Sequence, residues 1–236
     1  MAMGKRADLS KKPVEVSTMF DQVAPRYDAV NTLLTAGQVH VWREAIAQAL
    51  DISAGMRILD IATGTGTSAA SYARLGAEVT GVDFSQGMLE IARTRHPGIT
   101  FQWADATNLP QPDNSFDAVT ISYGLRNIAD PQAALREMLR VARPGGTLAI
   151  IEFSHPSSKL LRFPYRTYLK YVLPKVAALA GSDGPAYAYL MESILAWPNQ
   201  QELGRWIQEA GWRQVEYRNV TGGIVAIHRA RKPVAA

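Results

Sequence analysis

The chain has 236 residues, 47% hydrophobic and 19% charged, with 25 Lys and Arg, 21 Asp and Glu, four His and no Cys. This balance fits one α/β domain with a modest insertion and excludes a disordered chain; the missing cysteines exclude disulfides, thiolate nucleophiles and Cys-ligated zinc, and no metal site is expected. No run approaches the ~18 apolar residues of a transmembrane helix, and the opening MAMGKRADLSKKP lacks a signal peptide's apolar core, so a cytoplasmic protein is expected.

Residues 1–16 are polar, basic and without pattern, an expected mobile arm ahead of a single domain at 17–236. Across 17–54 the apolar spacing is helical (Met19, Phe20 and Val23, then Val41, Trp42, Ala45 and Ile46), broken at Pro25 and Gly37 into short helices starting near Ser17. Beyond Gly55, Ile- and Val-rich runs predict strands at 57–62, 78–83, 99–104, 116–122 and 147–153. Helical patterns near 68–75, 86–94 and 131–142 alternate with them, which reads as βαβ units and a parallel sheet covered on both faces. Arg143-Pro144-Gly145-Gly146 should stop the third helix. An insertion at 154–198, rich in Pro, Tyr and Leu, precedes a last helix at 200–210 and two strands at 213–220 and 223–229, joined by the turn Thr221-Gly222-Gly223. The basic excess is local. Five basic residues and no acid lie between 153 and 182, leaving 20 basic against 21 acidic elsewhere, so nucleic acid is not an expected partner.

Asp60-Ile61-Ala62-Thr63-Gly64-Thr65-Gly66 stands between a strand and a helix. Gly64 and Gly66 let backbone approach a ligand closely, a feature of NAD, FAD and S-adenosylmethionine sites alike. Three acids at strand ends separate these. Asp60 would repel a dinucleotide pyrophosphate and attract the ammonium of S-adenosylmethionine. Asp83, ending the second strand, can accept two ribose hydroxyls in either case. Asp105 after the third strand can accept from an adenine amino group, with Ala106 offering its N–H. The expected architecture is therefore the class I S-adenosylmethionine-dependent methyltransferase fold: seven strands, mostly parallel, the last antiparallel. NAD dehydrogenase is the lesser alternative, and each acid can also cap the helix after it.

Further motifs narrow the reading: Ser122-Tyr123-Gly124-Leu125-Arg126-Asn127 after the fourth strand, Leu109-Pro110-Gln111-Pro112-Asp113-Asn114-Ser115-Phe116-Asp117 before it, Met19-Phe20-Asp21 with Ala24-Pro25 and Tyr27-Asp28 near the start, and Thr221-Gly222-Gly223-Ile224-Val225-Ala226 with His228 near the end. Over residues 18–231 the chain resembles the ubiquinone/menaquinone biosynthesis C-methyltransferases, the demethylmenaquinone methyltransferase family. The resemblance implies C-methylation of a polyprenyl quinol, with demethylmenaquinol favoured and the ubiquinone precursor, a methoxy-benzoquinol, or another small molecule as alternatives. It also implies cofactor contacts at Thr65, Asp83, Asp105, Ala106 and Ser122. A nucleic-acid methyltransferase would need a target-strand motif such as N-P-P-Y, which this chain lacks after its fourth strand.

Methylating a ring carbon demands an electron-rich ring. A phenol of pKa ~10 is only ~0.1% ionised at neutral pH, a deficit of ~4 kcal/mol, and a neighbouring guanidinium lowers such a pKa by ~1–3 units. Arg126 is the expected stabiliser of the phenolate, with Asn127 orienting the ring oxygen; in the competing reading Arg126 pairs with an acid such as Asp130. Tyr27 and Tyr123 are expected substrate contacts. His228 lies too far down the last strand to act as base, and His155 and His40 receive no role. In the insertion, Arg162, Arg166 and Lys170 recur every four residues opposite Leu161, Tyr165, Tyr168, Leu169 and Val172. This basic amphipathic pattern over 159–175 is read as a substrate lid that touches an anionic membrane surface, or as an ordinary solvated helix face. A homo-oligomer is left open.

Overall fold

A computed structural model describes residues 7–173, 175 and 184–234. Three helices come first, α1 (Pro13–Val23), α2 (Tyr27–Leu34) and α3 (Gln38–Leu50). Strand and helix then alternate through β1 (Arg57–Ile61), α4 (Thr67–Arg74), β2 (Glu78–Asp83), α5 (Gln86–Arg95), β3 (Thr100–Trp103), β4 (Phe116–Ser122), α6 (Pro131–Val141) and β5 (Ala142–Phe153). The insertion holds α7 (Lys159–Thr167), a π-helical turn at Tyr168–Val172 and α8 (Gly184–Ala196). The chain closes with α9 (Gln200–Glu209), β6 (Arg213–Val220) and β7 (Val225–Arg231).

All seven strands form one sheet in the order β3-β2-β1-β4-β5-β7-β6. The first five run parallel and β7 lies antiparallel to both β5 and β6. Leu59, Val119, Leu148 and Ile150 are fully buried on central strands, as a parallel sheet covered on both faces requires, each burial stabilising by about 1.5–3 kcal/mol. Side chains set the helix starts: Ser85 caps α5 through the Met88 N–H (3.1 Å), Asp130 caps α6 through Ala133 (2.9 Å) and Asn199 caps α9 through Glu202 (3.0 Å). Because β1 to β5 point one way, the loops after Ile61, Asp83, Trp103, Ser122 and Phe153 meet at one sheet edge, where open α/β sheets bind ligands.

Several boundaries differ from expectation. Of the arm predicted over residues 1–16, residues 1–6 lie outside the described residues, and the rest is built into the fold: α1 starts at Pro13, whose missing N–H costs nothing in a first turn, and Ala7 is buried in one cluster with Leu169 and Tyr189. Strand β5 begins at Ala142 rather than 147, because Ala142 pairs with Phe116 and a register shift before Ala118 absorbs the Pro-Gly-Gly stretch. The final turn is a 3-10 segment, Thr221–Gly223, and β7 starts only at Val225. Part of the predicted 154–198 insertion, residues 174 and 176–183, lies outside the described residues.

Candidate active site

Three adjoining cavities, of about 380, 330 and 400 Å³, open at the sheet edge where β1 to β5 end, and Tyr27 and Tyr123 border all of them. Asp83, Asp105 and Ala106 border the 380 Å³ cavity, Asp60 and Thr65 the 330 Å³ cavity, and Gly64 and Ser122 both. Asp83 ties the glycine loop to the second strand end: its Oδ2 accepts from the Gly64 N–H (2.7 Å) and its Oδ1 from the Ser85 N–H (2.8 Å). Ser85, not Asp83, caps the next helix. Asp105 Oδ1 accepts from the Thr107 N–H and hydroxyl, both at 2.8 Å.

Asp60 is the least compensated acid of the three. Its Oδ2 accepts from the Thr63 hydroxyl (2.6 Å), but its Oδ1 is buried with no hydrogen-bond partner. Burial pushes its pKa up to about 7, and the Ala69 N–H is the smallest of the influences opposing that rise. Both glycines of the loop adopt a left-handed φ, +78° at Gly66, but their surroundings differ. A Cβ on Gly64, at φ +57°, would project into open space beside the cavities, whereas one on Gly66 would meet the Phe101 ring at 2.7 Å. Gly66 borders neither cavity and serves loop packing instead of the ligand approach expected of it.

The N-terminal helices close over this edge. Thr65 Oγ1 donates to Asp28 Oδ2 (2.8 Å), which also pairs with Arg95 (2.5 Å). Asp21 Oδ1 accepts from the Ser85 hydroxyl (2.5 Å) and the Gly87 N–H (2.9 Å). Lys11, in the segment expected to be a mobile arm, borders the 380 Å³ cavity and lies over the Trp197 ring at 5.4 Å. Asp21, a long-range partner of α5, carried no local signal of that role.

The 400 Å³ cavity is different in kind. Its walls are mostly apolar, from Met19 and Phe20 through Trp42 and Phe153 to Leu161, Leu169 and Leu190, and among the described residues Arg126 is its one charged side chain. Arg126 is 4% exposed and pairs with Glu152, not with Asp130: Nη1 donates to Glu152 Oε1 (2.8 Å) and the backbone N–H to Oε2 (3.3 Å). Nη1 also donates to the Tyr123 carbonyl, while Nε is buried without a partner. Tyr123 adopts φ +57°, which turns its carbonyl toward the guanidinium. Asn127 departs from its expected place. It borders the 380 Å³ cavity, donates to the Tyr123 carbonyl (3.3 Å) and accepts from the Tyr189 hydroxyl (3.2 Å), so its amide is already engaged. Glu152 escaped the sequence reading, although an acid inside the apolar run Ile150-Ile151-Glu152-Phe153 was its signal.

His40 and His96 border the 330 Å³ cavity, whereas the other two histidines border none of the three cavities. His228 pairs across the sheet with Ile150, bonds the Gln200 carbonyl at 2.8 Å and has its pKa lowered by burial; His155 bonds the Trp197 carbonyl at 2.9 Å. In the insertion, Leu161, Tyr165, Tyr168 and Leu169 form cavity wall. The outer surface is less simply polar than the four-residue spacing implied, because Leu160 (87% exposed) and Phe163 (79%) stand out among the basic residues.

The sequence profile of the ubiE/COQ5 methyltransferase family matches residues 7–232. The chain belongs to this family. It is 54% identical over 228 residues to the demethylmenaquinone methyltransferase of Paenarthrobacter aurescens (strain TC1), covering 97% of this chain and 90% of that one. It is 53% identical over 231 residues to the demethylmenaquinone methyltransferase of Clavibacter sepedonicus, covering 97% and 94%. Among solved structures, the [4+2]-cyclase SpnF superposes with a TM-score of 0.71 at 20% identity over the whole of both chains. A Thermotoga maritima S-adenosylmethionine-dependent methyltransferase does so with a TM-score of 0.65 at 22% identity, covering 91% and 99%. At such identities these establish the shared fold.

This ubiE/COQ5-family methyltransferase takes its methyl group from S-adenosylmethionine, and the residues at the sheet edge fit that donor. The unpartnered Asp60 Oδ1 suits a cationic group, the glycine loop leaves open space at Gly64, and Asp83 and Asp105 are held in place by backbone donors on the wall of a cavity.

Proposed function

We propose that this methyltransferase methylates a ring carbon of demethylmenaquinol in menaquinone biosynthesis. The observation that carries the reading is the mostly apolar 400 Å³ cavity with Arg126 on its wall, next to the acid-lined cavities. A prenylated naphthoquinol needs such a cavity for its ring and the start of its chain. The relatives at 47–54% identity carry the menaquinone name, which favours this acceptor over a methoxy-benzoquinol.

Bound S-adenosylmethionine supplies an electrophilic methyl group. In the proposed arrangement Asp60 holds the ammonium, Asp83 the ribose hydroxyls and Asp105 with Ala106 the adenine, while Gly64, Thr65 and Ser122 complete the wall. Tyr27 and Tyr123 stand between donor and acceptor. Arg126 offers its free Nε–H to the ring oxygen next to the accepting carbon and favours the ionised form of that hydroxyl. Glu152 compensates part of its charge, so Arg126 acts mainly as a fixed hydrogen-bond donor, with a smaller pKa effect than the ~1–3 units of an unpaired cation. Asn127 steadies the Tyr123 carbonyl and thus the loop.

The outer face of α7 gives the enzyme a route to a bilayer-borne substrate. Leu160 and Phe163 are largely exposed beside Lys159, Arg162 and Arg166, all exposed, and Leu161 and Tyr165 on the same helix line the cavity. We read α7 as a peripheral contact with anionic lipid. Among the described residues no helix is long and apolar enough to cross a membrane. Flotation with anionic vesicles should carry the protein up and high salt should release it; no binding to anionic vesicles removes this part.

Purified protein incubated with methyl-labelled donor and short-chain quinols tests the function. Label should enter demethylmenaquinol at a rate well above the methoxy-benzoquinol. Label in neither quinol refutes the proposal.

A further inference from the structure

Buried polar side-chain atoms in folded proteins are nearly always hydrogen-bonded, and several on the wall of the apolar cavity obey that rule. Tyr168 donates to the Leu34 carbonyl (2.6 Å), Tyr189 to Asn127 Oδ1 (3.2 Å) and Trp42 to the Thr221 hydroxyl (2.7 Å). Three atoms on the same wall do not: Arg126 Nε, Tyr123 Oη and Tyr165 Oη are buried with no partner. Arg126 and Tyr123 come from the loop after β4, beside the cofactor cavities, whereas Tyr165 comes from α7 in the insertion. One ring oxygen can occupy the loop pair. It leaves the Tyr165 hydroxyl, supplied by a separate element, without a use.

We propose that the Tyr165 hydroxyl is a substrate contact for the second oxygen of a para-dihydroxy ring, so that the insertion recognises one end of the quinol while Arg126 and Tyr123 hold the other. This rests on the quinol reading above. A phenolic hydroxyl both donates and accepts, which matches a quinol hydroxyl. Burial raises the pKa of Tyr165, so it stays a neutral hydroxyl at physiological pH. The position also couples recognition to the helix that faces outward with Leu160 and Phe163: a ring bonded to Tyr165 ties α7 to the loop after β4.

The test is Tyr165→Phe against two acceptors, a short-chain demethylmenaquinol and the naphthol analogue that keeps the hydroxyl beside the accepting carbon and lacks the other. Relative to wild type, Y165F should raise KM for the diol about 5- to 10-fold with kcat nearly unchanged, and should leave KM for the mono-hydroxy analogue and affinity for S-adenosylmethionine as they were. Without ligand the variant should melt at or above the wild-type temperature, because it loses a hydroxyl that had no partner. An unchanged KM for the diol, an equal loss on both acceptors, or a lowered melting temperature would each overturn the assignment. A wild-type enzyme inactive on the diol would instead remove the quinol reading, and this inference with it.

Discussion

Tyr27 and Tyr123 wall both acid-lined cavities and the apolar cavity, yet the polar groups of the first two and the apolar lining of the third come from different parts of the chain. The first pair grows from strand ends. Asp60, Asp83 and Asp105 sit at or just after β1, β2 and β3, and two of these carboxylates are fixed by backbone N–H groups of the next loop. The apolar cavity is enclosed by helices that precede and follow the βα repeats, with residues from α1, α2, α7, α8 and the π-helical turn meeting over Arg126. The carboxylates of one site are thus set by the sheet itself, with α1 to α3 closing over them, and the other site is set by how helices are laid on the sheet. A donor common to many methyltransferases can use the shared edge, and an acceptor particular to this enzyme can be fitted by changing the helices alone.

The sharpest way to break this comparison is at Arg126, which borders the apolar cavity and which the proposed arrangement gives to the acceptor. Arg126→Ala should lower kcat by about 100- to 1,000-fold, with donor affinity by calorimetry preserved once the protein is folded. It also strands Glu152, which is 1% exposed, so a stability loss of about 3–5 kcal/mol is expected in chemical denaturation. The double change Arg126→Met with Glu152→Met should regain most of that stability and none of the turnover. Recovery of activity in the double variant would show that the pair only supports the loop.

On the donor side, Asp83→Ala should weaken S-adenosylmethionine binding about 10- to 100-fold by calorimetry and leave quinol binding to the apolar cavity nearly unchanged. Equal loss at both sites would mean that the cavities are not separable. Asp60 supplies a finer probe. Its folded pKa is raised to about 7 from 3.8, so between these values the folded protein holds a proton that the unfolded chain has lost. Stability of the free protein should therefore fall as pH rises from about 4 to 7, and Asp60→Asn should flatten that slope in thermal melts. The linked ligand effect has the opposite sign. A cationic donor favours the ionised carboxylate, so affinity should rise about tenfold from pH 6 to pH 8 in wild type and not in the Asn variant.

The smallest expected effect lies farthest from the chemistry. Leu160→Ser with Phe163→Ser should reduce binding to anionic vesicles roughly fivefold, with methylation of a detergent-dispersed short-chain quinol unaltered. A fall in that soluble activity would place these residues in the cavity lid instead of on a lipid-facing surface.

Legibility followed the same division. Asp83, Asp105 and Gly64 could be found because a strand end and the loop after it are local features, written in a few consecutive residues. In the insertion the pattern put Leu161, Tyr165, Tyr168 and Leu169 on one face, and these line the cavity, but it put Val172, which is half exposed, on that face too and gave no place to Leu160 or Phe163. Tyr165 and Leu161 line the cavity while Leu160 and Phe163 face out, a choice made by packing against α1, α2 and α8. The partner of Arg126 was missed for a related reason. Asp130 is four residues away in sequence but caps α6, whereas Glu152 is 26 residues away and is delivered by the pairing of β4 with β5.

By itself the sequence determined the alternation of strands and helices, the edge at which three carboxylates gather and the antiparallel return of the last strand, since hydrophobic period and turn chemistry are local. Only the tertiary structure decided that Arg126 pairs with Glu152, that Asn127 bonds the Tyr123 carbonyl, that Gly66 yields to Phe101 and that three polar atoms in an apolar cavity have no partner. Those outcomes depend on which distant elements come to lie side by side, and no short window of residues contains that information.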